Sequence, residues 1–392
     1  MEIEKTDIEK GEFEEPIEWA TARWTRQRIQ GRALLYTVAL FTIGALAFIF
    51  QPSYTRVVDR DQPPHPQGTI PSYAIDYAPL IWLDEDEEYF PSSLLTHIQN
   101  THPSLDHTAL PTNTTLTLSN LSLLNSFGTA AGLDIYLTSN DDITTFPPWL
   151  TGTKPSPSGH TSSTSAAIIA VPRSPAVVDV FYTYFYSFNR GPTVLGSPLG
   201  NHVGDWEHNM IRFISGVPHA IWFSQHGGGQ AFAYDAVEKI GKRPVVYAAR
   251  GTHANYASAG RHDILLPGAS LPFDLLLTDH ASNGSLWDPA LNAFWYTYDV
   301  DSAEFSGAEN MGTEGNPVGA MAFRGHWGDK QYTDGDERQS WWLGWRRFVD
   351  GPTGPWDKEL VREGVCPDGG FGGCVVKQDI REEEVRGVIL GK

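Results

Sequence analysis

Eighteen consecutive residues without a charge, Ala33 to Phe50 (ALLYTVALFTIGALAFIF), constrain this chain more than any other feature. A helix of that length reaches across most of a bilayer's hydrocarbon core, and no polar stripe interrupts it as in a surface helix. A cleaved leader has a shorter apolar stretch and a small-residue cleavage site after it. Here the run begins after 32 residues and is followed by Gln51 and Pro52. It reads as an uncleaved anchor. Arg23, Arg26, Arg28 and Arg32 precede it, and Arg56 and Arg60 follow. The excess on the N-terminal side puts that end in the cytosol and the body in a lumen or outside.

The expected organisation is a cytosolic tail over 1–32, a transmembrane signal anchor over 33–50, a Pro-rich stalk over 51–72 and a lumenal body over 73–392. Three N-x-S/T glycosylation acceptors, at Asn113, Asn120 and Asn283, all lie beyond the span. Cys366 and Cys374 flank a Gly-rich turn (CPDGGFGGC) that suits a small disulfide loop in an oxidising lumen, two unpaired thiols being the alternative.

Lys+Arg 28 against Asp+Glu 47 gives a net charge of −19, which repels phosphate backbones and excludes a general nucleic-acid binder. Gly 38, Pro 27 and 12% aromatics describe short strands joined by turns. The runs Ala176–Tyr186, Glu207–Ile214, Ala220–Gln225, Pro244–Ala249 and Leu291–Tyr298 are apolar or alternating and are separated by Gly, Pro and Asn. Helical signals are short, near Tyr89–His97 and Trp356–Glu363. The fold expected is mostly β, an antiparallel β-sandwich with short helical decorations. Thr151 to Ser165 (TGTKPSPSGHTSSTS) reads as a mobile low-complexity insertion.

The candidate chemistry lies in Gly200–Phe213 (GNHVGDWEHNMIRF). On a strand, period two sets Asp205, Glu207 and Asn209 on one face and Trp206, His208 and Met210 on the other. Gly200 and Gly204 let the preceding turn bring His202 back over the carboxylates. Two carboxylates and an imidazole suit a divalent cation with open water positions, and in a chain this acidic they are equally a solvated face. His226, ending the next run in Ser224–Gly229 (SQHGGG), is a fourth ligand or a base. His253, in Gly251–Tyr256 (GTHANY), ends a third run similarly, and with Asn201 it is a candidate for an outer position or a base. The chain has no G-x-S-x-G, P-loop, G-x-G-x-x-G after a strand, or H-E-x-x-H. Seven of the thirteen tryptophans fall between Trp287 and Trp356, where they serve a core or a sugar-stacking surface.

These segments also carry a resemblance. Ala78–Leu83 (APLIWL), Glu88–Ser93 (EYFPSS), Gly200–His208 (GNHVGDWEH), Gly251–Tyr256 and Trp327–Tyr332 (WGDKQY) resemble, in order, the vacuolar protein sorting-associated protein 62 family. The resemblance implies a fungal protein linked to vacuolar protein sorting, specifically cytoplasm-to-vacuole transport, and no established reaction. More distantly, D-W-E with a histidine three residues before the Asp, followed by S-x-H-G-G, is similar to necrosis- and ethylene-inducing-like proteins. Those are β-sandwich cytolysins that hold a divalent cation and engage sphingolipid sugar headgroups. By position, His202, Asp205 and Glu207 match metal-binding positions, and His226 matches a further histidine. Gly204 stands where that family has a histidine, and its upstream acidic ligand falls near Asn189-Arg190, which implies weaker metal binding.

The leading reading is a non-enzymatic, single-pass membrane protein of the endomembrane system or vacuole. A Mg, Ca or Mn ion on His202, Asp205, Glu207 and His226 would recognise a glycan or lipid headgroup. Two rivals stay open: a metal-dependent hydrolase of glycoside, phosphodiester or ester substrates with His226 or His253 as base, and a purely structural adaptor.

Overall fold

The computed structural model describes residues 68–194, 196–265, 277–311, 316–342, 345–368, 374–381 and 388–389. The apolar run 33–50, the tail and most of the stalk lie outside them. Among the described residues no helix is long and apolar enough to cross a membrane.

The body is mostly β, with few and short helices. Numbered along the chain, the strands that position the site are β1 (Leu80–Leu83), β2 (Ala166–Ser174), β3 (Val177–Asn189), β4 (His202–Ile214), β5 (Val217–Gln225), β6 (Gly228–Ala233), β7 (Arg243–Ala248), β8 (Asn255–Tyr256), β9 (Gly260–Leu265), β10 (Leu277–Ala281), β11 (Ser285–Trp287), β12 (Ala293–Asp299) and β13 (Glu304–Gly307). An eight-stranded sheet runs β13-β12-β2-β3-β4-β5-β6 and ends on Val376–Lys377. A second sheet joins Lys239–Ile240, β7, β1 and β11, with β8 on β7. Pairing is not purely antiparallel: β12 with β2, β6 with Val376–Lys377, and β1 with β7 are parallel.

The β-branched and aromatic run of β3 (VVDVFYTYFYSFN) is buried along nearly its whole length because both faces of the large sheet are covered. On one face Phe181, Phe185, Trp206 and Met210 pack with Leu94, Ile98 and Trp327. On the other, Tyr182, Tyr184, Ile211 and Phe213 pack with Ile81 and Leu83 of β1 and Val246 and Ala248 of β7. The alternation expected for β4 holds, since Asp205, Glu207 and Asn209 share the side that carries Ile211 and Phe213 into this second core. β4 starts earlier than the apolar pattern suggests. His202 is its first residue rather than part of a free turn.

Three expectations need correction. Of the helical signals, the first becomes a short helix at Leu94–Gln99, with Ser93 accepting from the Thr96 N–H, and the second only a 3-10 turn at Pro355–Asp357. The packed body begins before Tyr73, since Ile70 is buried and trades backbone bonds with the Asn310 amide at 2.8 Å each way. Thr151–Ser165 is not an unattached insertion but a strap across the body. Thr153 N–H donates to Pro91 O at 3.0 Å, Asp288 N–H to Gly159 O at 2.9 Å, and Asn292 bonds both Thr161 and Thr164. Low side-chain complexity left the backbone free to be satisfied by neighbours, which composition does not reveal.

Close backbone approach sets the corner before the site. Gly204 has φ +68, and a Cβ there would overlap the Trp327 carbonyl oxygen, which also accepts the His97 Nε2–H at 2.9 Å. A Cβ on Gly328 would likewise overlap the Val203 carbonyl. Segments 203–204 and 327–328 therefore touch main chain to main chain. Gly204→Ala is expected to lower unfolding free energy by more than about 2 kcal/mol in urea titration. Gly241→Ala, at φ +64 with nothing within 4 Å of its Cβ, is expected to cost about 1 kcal/mol.

Candidate functional site

Asp205 and Glu207 lie two residues apart on a central strand, opposite Tyr186 and Tyr184 of β3, and both are buried. An ionised carboxylate taken out of water needs a cation, several N–H donors or a proton. Each of the two meets this differently.

Asp205 is paired with His253. The Nδ1–H of His253 donates to Asp205 Oδ2 at 2.9 Å, and its Nε2–H donates to the Tyr89 carbonyl at 2.9 Å. Both ring nitrogens face acceptors only, so the arrangement calls for an imidazolium. The ring stacks on Tyr186 with centroids 3.7 Å apart and planes 3° from parallel, and Glu87 Oε1 is 3.9 Å from Nε2. Burial disfavours the charged ring, but the hydrogen bond to Asp205 and the charges of Glu87 and Asp205 outweigh it and raise its pKa.

Glu207 has no such partner. Among the described residues its carboxylate receives one side-chain hydrogen bond, from the Ser224 hydroxyl. Burial, then the adjacent Asp205 charge, push its pKa well above the carboxylate range, against a lowering pull from Lys358 and Ser224. Ser224 Oγ in turn accepts the His208 N–H at 2.8 Å, so its hydroxyl is a structural link rather than a nucleophile set against an imidazole.

His226 turns to another acid. Its Nε2 bonds Asp279 Oδ2 at 2.7 Å, and Asp279 also accepts from Tyr256 OH at 2.7 Å and Thr252 Oγ1 at 2.8 Å. Burial raises the Asp279 pKa, but the His226 charge and these donors reverse the balance and hold it low. His226 moves the opposite way: burial lowers its pKa, and the Asp279 charge and hydrogen bond raise it on balance. Both histidines occupy the left-handed region, His226 at φ +53 and His253 at φ +54, a conformation kept only where surrounding contacts hold it.

His202 donates Nδ1–H to the Gly204 carbonyl at 2.6 Å, and burial lowers its pKa, which leaves a neutral ring with a lone pair on Nε2. Asn201 is a loop clamp: its Oδ1 accepts the Gly191 N–H at 2.9 Å and its backbone bonds Arg347 and Val349. The structure thus brings Asp205, Glu207 and His253 together and pairs His226 with Asp279. Among the described residues no three of His, Cys, Asp and Glu converge as a metal-holding group. The Tyr186 hydroxyl is buried and has no hydrogen-bond partner among the described residues, and Glu87, Asp205 and Glu207 are its charged neighbours.

Sequence reading missed Asp279, Glu87 and Tyr89. Thr252 and Tyr256 sit inside the GTHANY segment, and Glu87 lies in the acidic run Asp84–Glu88 (DEDEE) directly after APLIWL, so proximity to those family segments was available as a signal. Asp279 had none, because it lies 53 residues from His226 and only the tertiary structure brings the two together.

Elsewhere, Cys366 and Cys374 are joined with S–S 2.08 Å. Asn113 and Asn283 are exposed, whereas Asn120 uses both ends of its amide on Thr117 N–H and Thr115 O. Of the tryptophans beyond residue 286, Trp287 and Trp327 are core residues and Trp341 is exposed.

Truncating His253 strands Asp205. His253→Gln is expected to cost about 3–5 kcal/mol, and much of that should vanish in the Asp205→Asn background, measured as a double-mutant cycle. Because the folded-state pKa of His253 is raised, its stabilisation is complete below about pH 6.5 and is lost as pH rises through the folded value. Unfolding free energy from pH 6 to pH 9 should fall less steeply in His253→Gln.

Compared with known proteins, residues 178–275 match the model of the family described as vacuolar protein sorting-associated protein 62. The chain is 36% identical over 368 residues to the putative vacuolar protein sorting-associated protein TDA6 of Saccharomyces cerevisiae, covering 84% of this chain and 76% of that one. It is 37% identical over 328 residues to vacuolar protein sorting-associated protein 62 of the same yeast, covering 76% and 68%. Among solved structures, Necrosis and Ethylene inducing Protein 2 from the causal agent of cocoa's Witches Broom disease overlaps 50% of this chain and 71% of its own, at 10% identity and TM-score 0.25. NLPPya in complex with mannosamine overlaps 59% and 77%, at 12% identity and TM-score 0.26. Overlaps that low carry no conclusion about this chain.

Proposed function

The chain belongs to the vacuolar protein sorting-associated protein 62 family, and from that premise we propose that it works in vacuolar protein sorting as a membrane-anchored recognition protein rather than an enzyme. Residues 33–50 hold it in an endomembrane with its body, a sandwich of the two large sheets, on the lumenal side. The body recognises a glycan or lipid headgroup through a divalent cation drawn to the Asp205–Glu207 carboxylate pair, with which no third His, Cys, Asp or Glu among the described residues converges as a ready-made site.

One observation carries the cation: Glu207 is buried beside Asp205, with its pKa driven up and, among the described residues, a single serine hydroxyl donating to it. Such a carboxylate takes either a proton or a cation, and a neutral His202 and hydroxyl-bearing Tyr186 nearby suit the cation. His226 is outside this ligand set because Asp279 occupies its Nε2. Of the two histidines expected to serve a hydrolase as base, His253 has both nitrogens committed and His226 has its Nε2 on Asp279, so neither is poised for that role.

Calorimetric titration of the full chain with Mg, Ca and Mn should give one site in the parent and none in Asp205→Ala/Glu207→Ala. Cells relying on Glu207→Gln should then missort vacuolar cargo.

A second reading rests on His253, which already supplies one buried positive charge to the acidic pair. There the Gly200–His208 segment is a structural corner. Asp205→Ala would then lower stability while metal and headgroup titrations of the parent stay flat.

A further inference from the structure

Asp279 also forms part of the wall of a cleft of about 880 Å³, within the range of small-molecule sites and far larger than a single ion needs. Three arginines from separate segments line it: Arg190 just after β3, Arg250 just after β7 and Arg261 on β9. In a chain with Lys+Arg 28 and Asp+Glu 47, that is a local concentration of cations, set among the four carboxylates Asp86, Glu87, Glu88 and Asp279.

The cleft also holds carboxylates, and they divide into two kinds. Glu87 and Asp279 are committed inward. Glu87 accepts the N–H groups of Glu88 at 2.9 Å, Tyr89 at 2.7 Å and Gly251 at 2.8 Å, and Asp279 takes His226, Thr252 and Tyr256. Asp86 and Glu88 instead reach across to the arginines. Asp86 Oδ2 lies 3.3 Å from Arg250 Nη1, and Glu88 pairs with Arg190. These side chains are open to water, Asp86 by 71% and Glu88 by 64%, against 49% for Arg250 and 45% for Arg190. Exposed pairs of this kind hold together weakly and are screened by salt. A phosphate monoester offers a guanidinium more acceptor oxygens and twice the charge of one carboxylate, in matching bidentate geometry.

We propose that this cleft is a phosphate-binding site, and that Asp86 and Glu88 of the Asp84–Glu88 loop occupy its arginines until a phosphorylated ligand displaces them. Arg190 and Arg250 take the phosphate, Arg261 and the Thr193 hydroxyl line the same space, and the rest of the volume receives the sugar or polyol that bears it. The acidic loop acts as a built-in competitor that sets the affinity. The site stands whether or not Asp205 and Glu207 hold a cation. The phosphate belongs either to a lipid headgroup or to a soluble phosphorylated molecule.

Two titrations of the full chain test this: calorimetry with inositol 1-phosphate, and flotation with phosphatidylcholine vesicles with and without phosphatidylinositol 4-phosphate. Binding is expected in at least one arm, falling as salt rises. Arg190→Ala/Arg250→Ala should weaken it at least about tenfold, and Asp86→Asn/Glu88→Gln should tighten it several-fold. Binding of both probes identifies the phosphate chemistry alone, and binding of vesicles only identifies a lipid source. Binding of the soluble probe should persist in EDTA, which separates this site from the cation site. No binding of either probe by the parent and by Asp86→Asn/Glu88→Gln overturns the proposal. So does binding that the arginine and carboxylate variants leave unaltered. Should the double alanine variant unfold, the carboxylate variant, which removes only exposed charge, still decides.

Discussion

Everything around the site answers to one constraint: two carboxylates, Asp205 and Glu207, are buried on a central strand where water cannot solvate them. Charge in such a place is tolerated only when neighbouring groups oppose it. His253 opposes the first, and its position is in turn enforced by the Tyr89 carbonyl, the stacked Tyr186 ring and a left-handed backbone. The loop bearing Glu87 and Tyr89 is drawn in by the same network, since Glu87 caps the Gly251 N–H beside His253. A strand, a loop and a turn distant in sequence are thus locked by a single electrostatic demand.

The opposite face of β4 meets a different demand. Arg362 is almost fully buried, its guanidinium donating to three backbone carbonyls and to His208 Nε2 at 2.9 Å, with the Phe181 ring 4.9 Å away. Burial lowers its pKa to about 10, still well above neutrality, and ring and carbonyl dipoles compensate the charge. Through Arg362, and through Arg212 reaching from Asp179 to Glu363 O, the segment around 358–366 is strapped onto the sheet. That segment also carries Lys358, whose charge is felt by Glu207. Both faces of the large sheet therefore carry buried, compensated charge: Arg362 and the Arg212–Asp179 pair on one, the Asp205–His253 pair on the other.

Charge compensation also links the buried network to the surface cleft. Asp279 belongs to both, held low in pKa by His226 from within and forming wall from without. A ligand in the cleft would be adjacent to the interior His–carboxylate network.

The sequence alone settled those features that depend on local period and residue chemistry. The β4 alternation is one, because successive strand residues must face opposite ways whatever the fold. The order of the family segments is another. The pairing of Cys366 with Cys374 was readable as one of two options, since the intervening chain is short. Partnerships were not legible. Whether His226 faced a metal or Asp279, whether His253 was an isolated core residue or the counter-ion of Asp205, and whether Asn201 served the site or clamped a loop all hinged on contacts across tens to hundreds of residues. Gly204 looked like mere flexibility, yet the Trp327 main chain lies where its side chain would be. Local chemistry is written residue by residue, but the counter-charge of a buried carboxylate is chosen by which distant segments the two cores press together, and only the tertiary structure makes that choice.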